Sequence, residues 1–431
     1  MWLLEYIEHL IDLRQFGGIK GNSICHYLIE LVNFILSNQE SSSPTAVLAC
    51  MIDFSKAFNR QNHNLLITKL SDMGVPAWLL KIVMSFLSDR SMIVRHKGAS
   101  SSRRNLPGGG PQGTLLGLLL FLVLINNVGF LNQSNNVGQM ITGRKTFKAA
   151  NEIHLKFVDD LTVAESIKLK DSCVPVADRP LPDSYHARTG HALIPEVSKV
   201  FKQIENVKSY ANLNEMKINS RKTKFMMFNN CRSIDFMPSY CLVNEEIELV
   251  EEMKILGVVL SSDMKWQANT DNIIEKAYKR VWILRRLKSL RTEIPELLEV
   301  YIHQIRSVLE LAVPVWHSSL TLTDRANIER VQKSALQVIL GYKYISYSKA
   351  LKMTNLMSLE DRRDKLCDKF STKAVKHQKH KNWFKVNDRV TKTRQIQPPF
   401  VPVYSKTVRF KNSPISYMTD LLNRKFSKKK T

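Results

Sequence analysis

The chain has 431 residues, 44% of them hydrophobic and 24% charged, ordinary globular usage under which disorder is not the default, and long enough for two or three domains with real cores. Sixty-three Lys and Arg stand against 39 Asp and Glu, a formal charge of +24 that attracts polyanions, either nucleic acid or an anionic membrane face. Six cysteines, at 25, 50, 173, 231, 241 and 367, form no C-x-x-C pair, so neither a zinc site nor a disulfide framework is signalled; Cys367 with His377 and His380 lacks a fourth ligand.

In chain order, "LRQFGGIKGNS" reads as a basic loop and "ICHYLIELVNFIL" as an amphipathic helix, closed by the Ser-rich loop "NQESSSP". "TAVLACMIDF" is a short apolar run with β-branched residues and predicts a central strand ending in Asp53. Helical spacing follows at Leu65, Leu66, Leu70 and Met73, stopped by Gly74 and Pro76, and "AWLLKIVMSFLSD" predicts a second helix. "SMIVRHKGASSSRRNLPGGGPQG" reads as a basic hairpin running into a glycine-rich turn, and 114–130 as a buried helix. Within it "LLGLLLFLVLI" is too short to span a bilayer, which takes about 20 residues. No signal sequence opens the chain, so an intracellular protein with no membrane partner is expected.

Ile153, Leu155 and Phe157 alternate up to "FVDD", and Leu161 and Val163 resume beyond it, which predicts a β-hairpin with Asp159 and Asp160 at its tip. Residues 171–195 are Pro-rich and polar, a surface insertion. A helix ("VFKQIENVKSYANLNEM"), a strand ("KTKFMMFN") and a strand-turn-strand ("EEMKILGVVLSSDMKW") follow. From about 268 the pattern is helical, with Ile274, Ala277, Val281 and Leu284 sharing one face and Gly341 closing the last helix of the group. Between Arg362 and Arg394 twelve Lys or Arg and three Asp or Glu interleave with Phe370, Trp383 and Phe384, a mixture suited to nucleic-acid backbones and unstacked bases, and "KFSKKKT" ends the chain as a polybasic tail.

An acidic pair at an exposed turn needs no function by itself. Asp53, however, also ends a predicted buried strand, and adjacency of the two strands would bring Asp53 to Asp159 and Asp160. Convergent carboxylates raise one another's proton affinity unless a cation neutralises them. Hard oxygen ligands with incomplete protein coordination fit Mg²⁺. Two such ions about 3.5–4 Å apart would activate a 3′-hydroxyl and stabilise departing pyrophosphate. Between the acids lies "LPGGGPQG", where three glycines permit close backbone approach and Gln112 offers a donor and an acceptor.

In this order "DFSKAFN", "LPGGGPQGTLLG" and "FVDD" resemble the core motifs of reverse transcriptases. With "LNEMKINSRKTKFMMFN", "ILGVVLSSDMKW" and the helical tail, the chain resembles the polymerase of a non-LTR (LINE-type) retrotransposon from about residue 12 to about 390. The resemblance implies an α+β fold: a right-hand polymerase palm (51–267, with the insertion at about 171–195), partial fingers (1–50), an all-α thumb (268–341) and a basic C-terminal extension (342–431). It implies that Asp53 and Asp159, with the backbone carbonyl of Phe54, bind two Mg²⁺ ions, and that Asp160 sits beside them. Phe58 matches the aromatic gate under the sugar, Gln112 and Gly113 the loop beside the templating pair, and Lys222 a lysine that protonates pyrophosphate. Leu256 and Gly257 match the primer grip. The implied partners are an RNA template, a DNA primer or target, and dNTPs. "LRQFGGIKG" looks like the end of a fingers region that normally begins upstream; Arg14 and Lys20 lie in it, neither with an assigned role. The alternatives are a catalytically silent RNA-binding remnant and a relative of group II intron maturases.

Overall fold

The computed structural model describes residues 2–41, 45–128, 151–168, 173–175, 190–193, 198–229, 235–237, 240–242, 245–387 and 398–428. The chain divides into two compact units, one made of Met1–Ser23, Pro44–Met227 and Cys231–Val250, the other of Ile24–Ser43, Phe228–Asn230 and Glu251–Thr431. These borders cut across the segments expected from sequence: the helix Ile24–Gln39 and the hairpin Glu252–Ser261 both belong with the C-terminal helices.

The first unit is built on a five-stranded mixed sheet. Its strands are β1 (Thr45–Ile52), β2 (Glu152–Phe157), β3 (Asp160–Lys168), β4 (Lys224–Phe228) and β5 (Glu248–Leu249), arranged β5-β4-β1-β3-β2. β1 is central as expected, and Ala46 through Ile52 are all buried, as a strand covered on both faces requires. It pairs antiparallel with β3 from Thr45↔Lys168 to Ile52↔Leu161, and β3 pairs with β2 down to Phe157↔Asp160, leaving a two-residue turn of Val158 and Asp159.

The helix Lys199–Leu213 lays Val200, Phe201, Ile204, Val207, Tyr210 and Ala211 into this core. Glu165, 5% exposed on β3, anchors its start by accepting from the backbone N–H of Lys199 (2.8 Å) and Val200 (3.2 Å). A carboxylate at a helix N-terminus meets both the orphan amides and the positive end of the helix dipole. Of the apolar stretch expected as a helix over 114–130, the described residues are helical over Leu115–Leu124, capped by Thr114 Oγ1 accepting from Gly117 N–H at 3.0 Å, and 129–130 lie outside the described residues. Two short hairpin ladders over 91–105 form the expected basic hairpin. Of the expected insertion, only the backbone strands Cys173–Pro175 and Gly190–Leu193 are described, the remainder lying outside the described residues.

Among its described residues the second unit is mainly helical, with the hairpin Glu252–Ser261 and an isolated Val386–Phe400 bridge besides. The helix Ile24–Gln39 was expected to be amphipathic, but Tyr27, Leu28, Ile29, Leu31, Val32 and Ile35 are all at or below 1% exposure, so burial on nearly all sides is its requirement. It meets the segment Val313–Trp316 and the helices Val408–Lys411 and Pro414–Lys428. In the helix Gln267–Ser289 the buried stripe is Ile273, Ala277, Val281 and Leu284; Ile274, expected on that stripe, is only half-buried. Phe370, Trp383 and Phe384 also depart from expectation, being spent on internal packing rather than offered to bases. Phe384 is 3% exposed, the Phe370 ring lies 4.7 Å from that of His26, and Trp383 Nε1 donates to Glu30 Oε1 at 2.7 Å. No described helix is long and apolar enough to cross a membrane.

Candidate active site

The register of β1 against β3 places the chemistry. Since Ile52 faces Leu161, the chain leaves β1 at Asp53 beside the start of β3 at Asp160, with Asp159 in the adjoining turn. Asp53 thus meets the adjacent pair Asp159 and Asp160, more than 100 residues further along the chain, at one end of the sheet. Asp160 and Glu165 are an odd number of residues apart on one strand, so they face opposite sides; the helix capped by Glu165 lies behind the sheet relative to Asp160.

The acids sense one another. Loss of hydration raises the proton affinity of Asp159, with the charge of Asp53 adding to it. Asp160 is pushed up to about 6, first by loss of hydration and then by the charges of Asp159 and Asp53, with Lys222 opposing. Asp53 itself has close polar partners: Asn219 Nδ2 donates to its Oδ2 at 3.1 Å and Lys222 Nζ lies 3.8 Å from the same oxygen. The Lys222 side chain is 70% exposed, so its ammonium group is open to solvent.

Beyond β1 the backbone pairs briefly with 217–219, Ser55 N–H donating to Lys217 and Asn219 N–H to Asp53, on either side of an antiparallel Phe54–Ile218 bridge. The alternation of such a ladder turns the Phe54 carbonyl away from Ile218. The donors at this sheet end are therefore carboxylate and carbonyl oxygens with excess negative charge, the chemistry of a hard divalent cation. Among the described residues no three His, Cys, Asp or Glu side chains stand close enough together to encircle an ion, and the Asp53 carboxylate leans on Asn219 and Lys222.

The glycine-rich loop is bolted to the segment after Asp53. Gly110 N–H donates to the Phe58 carbonyl at 2.8 Å, Gly109 N–H to that of Gln61 at 2.9 Å, and Arg90 Nη2 to that of Gly108 at 2.9 Å. At Gly109, which has φ +79°, a Cβ would stand 3.0 Å from the Asn59 carbonyl oxygen and 3.1 Å from Asn59 Cα, so the close approach of the two backbones favours glycine there. The Phe58 ring stacks on Phe121 with centroids 4.4 Å apart and remains half-buried. Gln112 and Gly113 are exposed at the end of the loop. Leu256 and Gly257 form the turn of the hairpin Glu252–Ser261, both at positive φ, and belong to the second unit.

Four residues at this site went unread in the sequence: Asn219, Gln15, Asp12 and Lys156. Lys156 is 2% exposed and its Nζ lies 2.6 Å from Asp12 Oδ2, an ion pair buried behind the turn. Arg14 joins it, Nη2 to Asp12 Oδ2 at 2.9 Å, so its guanidinium is turned to the protein.

The reverse transcriptase (RNA-dependent DNA polymerase) family matches residues 3–260. The chain is 22% identical over 385 residues to the probable RNA-directed DNA polymerase from transposon BS of Drosophila melanogaster, a match covering 86% of this chain and 37% of that protein. It is 23% identical over 291 residues to the RNA-directed DNA polymerase from mobile element jockey of Drosophila funebris, covering 67% of this chain and 28% of that protein. The chain thus spans well under half the length of these curated relatives. Among solved structures it is similar to apo telomerase from Candida tropicalis, with a TM-score of 0.39 and 13% identity over 81% of this chain and 50% of that one. The matched span holds all three carboxylates, Lys222 and the glycine-rich loop, and the chain belongs to the reverse transcriptase (RNA-dependent DNA polymerase) family.

Proposed function

We propose that this chain is the polymerase part of a non-LTR (LINE-type) retrotransposon protein and performs RNA-directed DNA synthesis, adding deoxynucleotides to a primer 3′-hydroxyl on an RNA template. The observation that carries the reading is the strand register that delivers Asp53 beside Asp159 and Asp160 within a span matched by the family. The names of two relatives, polymerases of a transposon and of a mobile element, support the retrotransposon assignment.

Asp53 and Asp159, with the Phe54 carbonyl, would hold two Mg²⁺ ions, which when bound supply activation of the 3′-oxygen and neutralisation of phosphate charge. Asp160 adds negative potential beside them. In the reaction the 3′-oxygen bonds to the α-phosphorus, the α–β phosphate bond breaks, and the hydroxyl proton passes to solvent. Lys222, exposed and on the Asp53 side of the cluster, hands its proton to the departing pyrophosphate. Phe58 lies under the sugar of the incoming dNTP and rejects a 2′-hydroxyl, and Gln112 and Gly113 border the templating pair. Leu256 and Gly257 grip the primer, and the helices of 268–341 serve as the thumb for the DNA primer or target.

The test is dTTP incorporation by the full chain on oligo(dT)-primed poly(rA) with Mg²⁺. Incorporation is expected, with a loss of at least about 100-fold in Asp53→Ala and Asp159→Ala. Salt-sensitive RNA binding without incorporation would leave the silent RNA-binding remnant as the better reading. Incorporation that survives both substitutions would remove the carboxylates from the mechanism.

A further inference from the structure

Gln15 lies 143 residues from the FVDD turn, yet it is 3% exposed and its side-chain oxygen accepts from two backbone amides, Gly17 N–H at 3.0 Å and Val158 N–H at 3.1 Å. Val158 is the first residue of the two-residue turn and has φ +58°, a left-handed conformation that a β-branched side chain disfavours. Something outside the hairpin must hold it there.

The segment around Gln15 is built to do so. Lys156 N–H donates to the Arg14 carbonyl at 3.0 Å and Phe16 N–H to the Lys156 carbonyl at 2.8 Å, so 14–16 runs as a short extra strand along the end of β2. Gly17 completes the fit, since a Cβ there would stand 2.6 Å from Val158 Cγ2 and 2.7 Å from Val158 N. Beneath lie the Lys156–Asp12 ion pair and Asn126, whose Oδ1 accepts from Asp12 N–H at 2.8 Å and whose carbonyl accepts from Lys156 Nζ at 2.8 Å.

We propose that Gln15 is a positioning residue for the acidic turn: by accepting from Val158 N–H it fixes the left-handed residue from which Asp159 and Asp160 take their direction. The proposal rests on the polymerase reading of those two acids and deepens it. An amide oxygen suits the position, because it serves two donors while adding no charge. A carboxylate there would add a fourth negative group beside Asp53, Asp159 and Asp160, which already raise one another's proton affinity. A leucine would fill the space but leave both N–H groups without an acceptor.

The test compares the full-length protein with Gln15→Leu, with Gln15→Leu combined with Val158→Gly, and with Asp159→Ala. Two readouts are taken: amide hydrogen exchange across 155–162 resolved to single residues, and steady-state dTTP incorporation as a function of Mg²⁺. Gln15→Leu is expected to speed exchange of the Val158 amide by about 10-fold, the loss of one buried hydrogen bond. It should also lower kcat by about 10-fold, leave the dTTP KM within about 2-fold, and raise the half-saturating Mg²⁺ concentration. Glycine adopts positive φ unaided, so the double variant should recover kcat while exchange at residue 158 stays fast. A merely stabilising contact would not separate the two readouts in this way. Unchanged exchange at Val158 in Gln15→Leu overturns the proposal, as does unchanged kcat in a protein whose activity is lost in Asp159→Ala. If the parent chain does not incorporate dTTP at all, the polymerase reading fails, and the exchange measurement alone decides whether Gln15 holds the turn.

Discussion

Replacing Asp160 with asparagine should stabilise the protein at alkaline pH, although the residue stands at the centre of the proposed chemistry. Asp160 has a pKa pushed up to about 6, against an ordinary value of 3.8, by loss of hydration and by the charges of Asp159 and Asp53. A carboxyl with a raised folded-state pKa binds its proton more tightly in the native chain. Its contribution to stability is complete below 3.8, declines between 3.8 and about 6, and is gone above that. The gap corresponds to about 3 kcal/mol at 1.36 kcal/mol per pKa unit, and solvent screening at a half-buried turn reduces it to roughly 1–2 kcal/mol. Asp160→Asn, neutral at all pH, should therefore be more stable than the parent by roughly 1–2 kcal/mol at pH 8 and by about half as much at pH 5, inside the window. Urea denaturation in EDTA at the two pH values measures this. Added Mg²⁺ should shrink the difference at pH 8, because the parent's carboxylates then have a counter-charge. No gain at pH 8, or a larger gain at pH 5 than at pH 8, would refute a raised proton affinity of Asp160 in the folded chain.

Two further outcomes follow from buried groups. Lys156→Met removes one of the two cationic partners of Asp12, a carboxylate 7% exposed and held at about 2 despite its burial by the opposing charges of Lys156 and Arg14, and with Arg14 still in place should cost roughly 1.5–3 kcal/mol in urea denaturation. In the second unit, Trp383→Phe takes the indole N–H from Glu30, whose carboxyl is pushed up to about 7 by burial. The loss should be about 1–2 kcal/mol at pH 8 and smaller at pH 5, where Glu30 carries its proton; an equal loss at both pH values would count against an ionised Glu30.

What the sequence disclosed and what it concealed divide along one physical line. β1 was legible because an apolar run with tight borders admits few other states, and the FVDD turn because alternation at Ile153, Leu155, Leu161 and Val163 fixes which side is buried. The meeting of Asp53 with Asp159 and Asp160 followed from assuming those two strands adjacent. Gln15 and Asn219 were illegible because the work of each side chain depends on a hydrogen bond to a residue far along the chain, a relation that leaves no periodic mark. Ile273 and Ile274 are adjacent and equally apolar, so spacing alone could not decide which one the helix buries. Phe370, Trp383 and Phe384 looked like a nucleic-acid surface because composition does not say which way a ring points. The affiliation of the helix Ile24–Gln39 was hidden for a related reason: its apolar faces announce burial but not the partner.

The register that gathers the carboxylates is specified by residues other than the carboxylates, which repel one another. A slip of one residue between β1 and β3 would separate Asp53 from Asp160 and turn every side chain of the moved strand to the opposite face. If β3 moved, Glu165 would leave the N-terminus of the helix Lys199–Leu213, and buried amides would lose their acceptor. If β2 moved with it, Lys156 would be pulled from Asp12 and leave two buried charges apart. Each penalty falls on residues outside the chemistry. A sheet end that gathers three negative groups is thereby held in place by polar contacts on its other face and behind its turn.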